Sequence, residues 1–168
     1  DMFYTIDKLR NRIHELDDYR YRDKVELAYF NTKLNGDRDI APNIPTEYDG
    51  VIKTGETWKG RDLYLWMQKE VDIPSNWENK TVVGIFDFGE TGAGNNSGFE
   101  SLFYLNNKPY QGVDSNHKEV FLPKDINGTR VELIFRLWTG LEGGGIPREQ
   151  EHRINRAQLA WLDEKVDD

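Results

Sequence analysis

The first hydrophobic pattern along the chain predicts a helix. Apolar residues recur at intervals of three and four with charged residues between them, which is typical of an amphipathic helix. These residues are Ile6, Leu9, Ile13 and Leu16. The following run, DDYRYRDKVELAYF, either prolongs this helix or begins a second one. We therefore predict an N-terminal helical segment over residues 1–34.

A connecting loop is expected after this segment. Asn35-Gly36 is followed by Pro42 and Pro45. Proline lacks a backbone donor and biases the residue before it towards extended backbone, so a helix cannot pass through this region. Residues 35–60 are accordingly predicted to form a loop.

From there on, the hydrophobic period changes to that of β-strands. Within residues 63–73 the odd-numbered positions are apolar with one interruption at Lys69, as in a strand with one buried face. TVVGIFDF (81–88) is apolar on both faces and predicts an inner strand, whereas RVELIFRLW (130–138) alternates cleanly. ESLFYL and KEVFL are shorter candidates. Short strands with Gly, Asn and Pro turns predict an antiparallel β-sandwich, of jelly-roll or galactose-binding-like type, over residues 61–148.

The last segment again has a helix-compatible pattern. It follows the helix breaker GGGIP and runs to Asp168. We predict that residues 149–168 form a helix that leads out of the sandwich. Because no closing turn follows Val166, the natural chain is expected to continue past Asp168.

Composition narrows the possible partners. Thirty acidic and 22 basic residues give a net charge of −8, which repels phosphate and anionic lipid, so we expect no nucleic acid or membrane partner. The chain has no cysteine, which excludes disulfides and thiolate metal sites and fits a reducing, cytoplasmic location.

Catalytic motifs are weak throughout the sequence. Gly89 to Gly98, GETGAGNNSG, lacks the Lys-Ser/Thr ending of a phosphate loop and precedes a predicted strand, which favours an inter-strand loop. The three histidines, His14, His117 and His152, lie in separate regions without metal-ligand spacing. We therefore predict no metal site and no catalytic residue in these 168 residues.

Aromatic residues are the more informative candidates for binding. Four tryptophans could stack on sugar rings, with core packing as the favoured alternative. They are Trp58, Trp66, Trp77 and Trp138.

The stretch YLNNKPYQGVDSNHKEVFLP adds a polar candidate pair. Asn106-Asn107 predicts a hairpin turn. Asp114 and His117, at i and i+3, form a pair that either approaches a ligand or partner domain or simply stabilises a turn. The ligand- or interface-proximal candidates are therefore Asp114, His117, Trp58 and Trp138.

Three segments together resemble a known family. They are GETWKGRDLYLWMQKEVDIPSNW (55–77), ESLFYLNNKPYQGVDSNHKEVFLP (100–123) and AQLAWLDEKVDD (157–168). Their order and spacing resemble the N-terminal region of α-mannosidases of glycoside hydrolase family 38, of the cytosolic and bacterial kind. One departure is Asn107, where that family usually has glycine. Asparagine tolerates positive φ, so the hairpin is expected to survive.

The resemblance implies a non-catalytic domain that precedes a separate catalytic domain. The zinc ligands and the aspartate nucleophile of such enzymes belong to that downstream domain, so zinc is expected there and no cofactor is expected here. The implied partners are this catalytic domain, α-mannoside sugars and further copies in a homo-oligomer. An independent carbohydrate-binding module is the alternative, and a stand-alone hydrolase has only dispersed carboxylates in its favour.

Overall fold

The predicted antiparallel β-sandwich is confirmed. The computed structural model describes residues 20–35, 43–60, 63–89, 98–139 and 150–164. The strands are β1 (Tyr21–Glu26), β2 (Tyr29–Asn35), β3 (Gly50–Lys53), β4 (Thr57–Gly60), β5 (Tyr64–Asp72), β6 (Thr81–Asp87), β7 (Glu100–Leu105), β8 (Lys108–Asp114), β9 (Glu119–Phe121), β10 (Arg130–Trp138), β11 (Gln150–Arg153) and β12 (Arg156–Leu162). Two 3-10 helices, Ser75–Trp77 and Lys124–Ile126, each follow a proline.

Two sheets face each other across the core. The larger has six strands in the order β3-β2-β5-β10-β7-β8, and the smaller has four in the order β1-β12-β6-β9. A separate two-stranded pair joins β11 to β4. Every pairing among these strands is antiparallel, as the short turns in the sequence predict.

Phe135 lies at the centre of the core between the two sheets. It is fully buried, and its ring contacts four other phenylalanine rings at centroid distances between 4.7 and 5.9 Å. These rings belong to Phe30, Phe86, Phe88 and Phe103. The odd-numbered residues of β10 from 131 to 137 are all buried. One face of this strand therefore packs on the core, as its alternating sequence predicts.

The Asn106-Asn107 hairpin is also confirmed. Leu105 pairs with Lys108 across a two-residue turn, and Asn106 and Asn107 have φ values of 50° and 68°. Positive φ at both central residues is the requirement of a tight hairpin turn, and asparagine satisfies it where the resembled family usually has glycine.

The helical predictions are wrong for all the described residues of these segments that lie in strands, and only Arg20 and Glu164 have a helical assignment. Residues 21–34, expected to be helical, contain β1 and most of β2, and residues 150–162, also expected to be helical, contain β11 and β12. Residues 1–19 lie outside the described residues. The predicted loop over 35–60 contains the short strands β3 and β4. None of the helices in the described residues is long and apolar enough to cross a membrane.

Burial of β12 on both faces explains the error at the C-terminal end. Ala157 and Leu159 face the main core, while Ala160 and Leu162 belong to a second cluster on the outer face. Apolar residues on both faces of a strand produce spacings of three as well as two, so periodicity cannot separate this strand from a buried helix.

Tyr21 helps to cover that second cluster. Its hydroxyl donates a hydrogen bond to the Glu119 carboxylate on β9, at the opposite edge of the four-stranded sheet. The Arg156 guanidinium carbon lies 5.6 Å from the centroid of the Tyr21 ring. Tyr21 thus joins the first strand of this sheet to its last.

Candidate functional site

The register of the six-stranded sheet aligns four side chains in one row on its outer face. Trp138 on β10 lies opposite Tyr64 on one side and Glu100 on the other, and Glu100 lies opposite Asp114. Residues directly opposite each other in antiparallel strands project their side chains from the same face. The sheet therefore places two of the sequence candidates, Trp138 and Asp114, in one row, which we call the outer row.

A second row lies directly behind the outer row. Arg136 is flanked by Trp66 and Leu102, and Leu102 lies opposite Gly112. The Arg136 guanidinium carbon is 3.7 Å from the centroid of the Tyr64 ring, within the range of a cation–π contact. Arg136 therefore links the two rows through Tyr64.

A hollow of about 260 Å³ opens where the two rows meet. Its lining combines two aromatic rings, one guanidinium and one carboxylate with smaller groups. The lining residues are Tyr64, Glu100, Ser101, Leu102, Arg136 and Trp138. We call it the outer hollow. It offers an aromatic surface, N–H donors and carboxylate acceptors within one small volume, which suits a ligand rich in hydroxyl groups.

The middle of the same sheet face is closed by apolar packing. Trp66, Tyr104 and Ile134 form a buried cluster, and Ile44 and Tyr48 from the segment before β3 pack against it. Burial and the nearby charge of Glu132 raise the pKa of Tyr48 to about 12. Trp66 thus lies opposite the Leu65 and Met67 face, as the sequence indicates, and is covered by a loop.

Asp114 and His117 form a compact turn at the end of β8. The Asp114 carboxylate contacts the His117 ring at 2.9 Å and accepts a hydrogen bond from the Asn116 amide at 2.8 Å. Their backbones exchange two further hydrogen bonds of 3.1 Å. The His117 side chain is 70% exposed. This geometry stabilises a turn and leaves the imidazole facing solvent beside the outer row.

The Asp114 carboxyl is expected to titrate below its ordinary pKa of 3.8. Desolvation raises its pKa, but hydrogen bonds from Asn116 and His117 and the His117 charge outweigh that effect. A depressed folded pKa adds stability that is present above the unfolded pKa and is lost as pH falls through the folded value. NMR titration of the carboxyl should show the low midpoint, and His117→Ala should raise it; an unmoved midpoint would contradict this account.

Trp58 lies away from the outer row. It is on β4, is only 6% exposed, and stacks on the His152 ring with centroids 4.5 Å apart. Its indole N–H donates to the Phe88 carbonyl at 3.4 Å. Trp58 is therefore a core residue, which was the alternative prediction for the tryptophans. Trp138 lines the hollow and stays a candidate for ligand binding.

His152 holds together three segments at the same end of the sandwich. It is 1% exposed, and its ring nitrogens lie 2.8 Å from the Gly89 carbonyl and 3.2 Å from the Thr139 carbonyl. Gly89 follows β6 and Thr139 follows β10. His152 is therefore a buried structural residue. No three His, Asp or Glu side chains cluster as metal ligands in the described parts of the chain.

Three residues of the outer hollow were missed as candidates from the sequence. In the sequence, Tyr64, Glu100 and Arg136 look like ordinary strand residues. Only the alternation of β10 indicates a position for one of them, because it places Arg136 on the face opposite the apolar one. These three side chains meet because their strands are neighbours in the sheet. A single sequence does not reveal the order of the strands.

Comparison with known proteins shows similarity in fold. No family model matches this chain, and no curated protein matches it in sequence. A β-glucuronidase from Ruminococcus gnavus in complex with D-glucaro-d-lactam has a TM-score of 0.56 and 12% identity, over 86% of this chain and 30% of that chain. The β-glucuronidase of Faecalibacterium prausnitzii has a TM-score of 0.59 and 12% identity, over 86% of this chain and 32% of that one.

The chain spans about a third of the length of these solved chains. At 12% identity the likeness establishes a shared backbone architecture. The protein therefore has a β-sandwich fold that also occurs within β-glucuronidase chains.

Proposed function

We propose that this chain is a non-catalytic β-sandwich domain of a glycoside hydrolase, and that it packs against the catalytic part of that enzyme. The single observation that supports the proposal most is the shared fold, which extends over 86% of this chain but only about a third of each β-glucuronidase chain. A domain of that relative size leaves most of such an enzyme for a separate catalytic part. Fold alone does not fix an activity, so the activity has to be measured on the enzyme itself.

The parent enzyme in this proposal is a retaining, zinc-dependent α-mannosidase that hydrolyses terminal α-mannosides. The support is the sequence resemblance to glycoside hydrolase family 38, which includes the hairpin from β7 to β8 and the Asp114 to His117 turn. The β-glucuronidase neighbours suggest a different sugar for the parent. The two possibilities differ in both substrate and metal requirement.

An activity comparison separates these possibilities. The natural protein that contains this sequence should hydrolyse an aryl α-mannoside and lose that activity on chelation, with recovery on adding zinc. The 168-residue chain should hydrolyse neither an aryl α-mannoside nor an aryl β-glucuronide. If the natural protein hydrolysed the β-glucuronide and chelation had no effect, the α-mannosidase assignment would be overturned. The broader proposal, that this chain is a domain of a glycoside hydrolase, would stand. Turnover by the 168-residue chain would overturn the non-catalytic role.

An independent carbohydrate-binding module is the second candidate. The outer row supports it, because Trp138 lies between Tyr64 and Glu100 on a sheet face that bears a hollow. Aromatic rings next to fixed polar groups are the usual composition of a small-ligand site.

A further inference from the structure

We propose that the outer hollow binds a single neutral pyranose ring, and that it discriminates against sugars that carry a carboxylate. This inference rests on the second candidate function. Trp138, Arg136 and Glu100 hold the ligand, and Asp114 adds a negative charge next to Glu100.

The hollow has room for about one sugar ring. Its volume of about 260 Å³ lies just under the range of about 300 to 1,000 Å³ that encloses drug-sized ligands. The hollow lies on an open sheet face, so further sugar units could extend into solvent without contacting the domain. The monosaccharide is thus the unit that is recognised.

Trp138 and Arg136 supply two kinds of contact. Trp138 is partly exposed in the outer row and offers an aromatic surface for the C–H face of a pyranose. Arg136, oriented by its contact with Tyr64 at 3.7 Å, offers N–H donors to ring hydroxyls. Both side chains are anchored in the central strand β10, so the two contacts are held at a fixed spacing.

The carboxylates on the other side of Trp138 set the charge preference. Glu100 lies next to Trp138 and directly opposite Asp114, so two acidic side chains are neighbours on one sheet face. Hydrogen bonds from Asn116 and His117 favour the ionised form of Asp114. The negative charges of Glu100 and Asp114 disfavour an anionic sugar at this end of the hollow, while Glu100, which lines it, can accept hydrogen bonds from the hydroxyls of a neutral sugar.

The position of Gly112 provides a way to block the hollow. Gly112 lies opposite Leu102, which lines the hollow, and a Cβ built there meets only the Ser101 carbonyl oxygen, at 4.0 Å. A large side chain at this position can be added without displacing core atoms. Gly112→Trp should therefore obstruct the hollow while the sandwich stays folded.

NMR titration of the ¹⁵N-labelled chain tests the inference. Methyl α-mannopyranoside should shift the amide signals of Glu100, Leu102 and Trp138 saturably, with a dissociation constant of about millimolar size. Methyl β-glucuronide should bind at least about tenfold more weakly than the mannoside. Glu100→Gln should reduce this difference in affinity, because it removes a negative charge. Gly112→Trp should weaken binding of the mannoside at least about tenfold.

A matched control lies on the other sheet. Trp161→Phe changes a partly buried tryptophan of β12 and should leave the titration unchanged. Equal binding of the two sugars, no saturable shift, or unchanged binding by a folded Gly112→Trp variant would each overturn the inference. A failed titration does not alter the activity expected of the natural protein, so failure here is distinguishable from failure of the enzyme-domain proposal.

Discussion

Phe135→Ala is expected to lower the free energy of unfolding by about 4 kcal/mol, the largest effect of any single substitution considered for this domain. Phe135 is fully buried and surrounded by four other phenylalanine rings, whose centroids lie between 4.7 and 5.9 Å from its own. Truncation removes the transfer free energy of the ring and leaves a cavity that both sheets border. The strands on either side are too firmly paired to collapse into that space.

Phe121→Ala is the matched control for this substitution. Phe121 is on the edge strand β9 and is 48% exposed, so its truncation is expected to cost less than about 1 kcal/mol. Urea unfolding followed by tryptophan fluorescence measures both values. Similar losses for the two variants would contradict the placement of Phe135 at the centre of the core.

Gly89→Ala is expected to cost about 3 kcal/mol, although it adds a single methyl group. Gly89 has a φ of +85°, where a residue with a Cβ is strained. The added Cβ would also lie 2.2 Å from the Arg153 carbonyl oxygen, so backbone atoms of β11 would have to move. That shift would disturb the contact between the Gly89 carbonyl and His152 as well.

Gly112→Ala separates this effect from the general consequence of replacing glycine. Gly112 lies within β8, and a Cβ there has no neighbour closer than 4.0 Å. Its replacement should change the free energy of unfolding by less than about 1 kcal/mol, with stabilisation as the favoured sign. Thermal unfolding of the two variants side by side gives the comparison. A Gly89→Ala protein as stable as Gly112→Ala would show that the backbone at Gly89 relaxes freely.

Two inner strands, one in each sheet, could be predicted because their patterns of apolar residues are distinct. β10 alternates over nine residues, and β6 is apolar on both faces as an inner strand should be. The hairpin at Asn106-Asn107 could be predicted from local chemistry alone, since asparagine is among the few residues that favour positive φ.

The strands at either end of the chain could not be predicted in the same way. β1 is mostly exposed and carries no apolar alternation, and β12 is buried on both faces. Their conformation is fixed by pairing with each other and with β6, which are contacts between residues far apart in the sequence. Local periodicity contains no information on such pairing.

The candidate site shows the same limit. The sequence suggested Trp138 and Asp114 separately, from an aromatic count and from a turn pattern. Their alignment through Glu100 depends on the register of three strands, and the Arg136 contact with Tyr64 depends on a fourth. Residue type predicted which side chains could bind a sugar, whereas strand order decides which of them meet.

The position of β12 in the four-stranded sheet has a consequence for synthesis on the ribosome. β12 is the last described strand, yet it lies between β1 and β6, and the Asp163 amide donates to the Arg20 carbonyl at 2.7 Å. Until β12 has left the exit tunnel, β1 has no partner strand in its sheet and β6 has an unpaired edge. Such edges invite pairing with other chains. Chains that end before residue 156 are therefore expected to aggregate, which light scattering would detect.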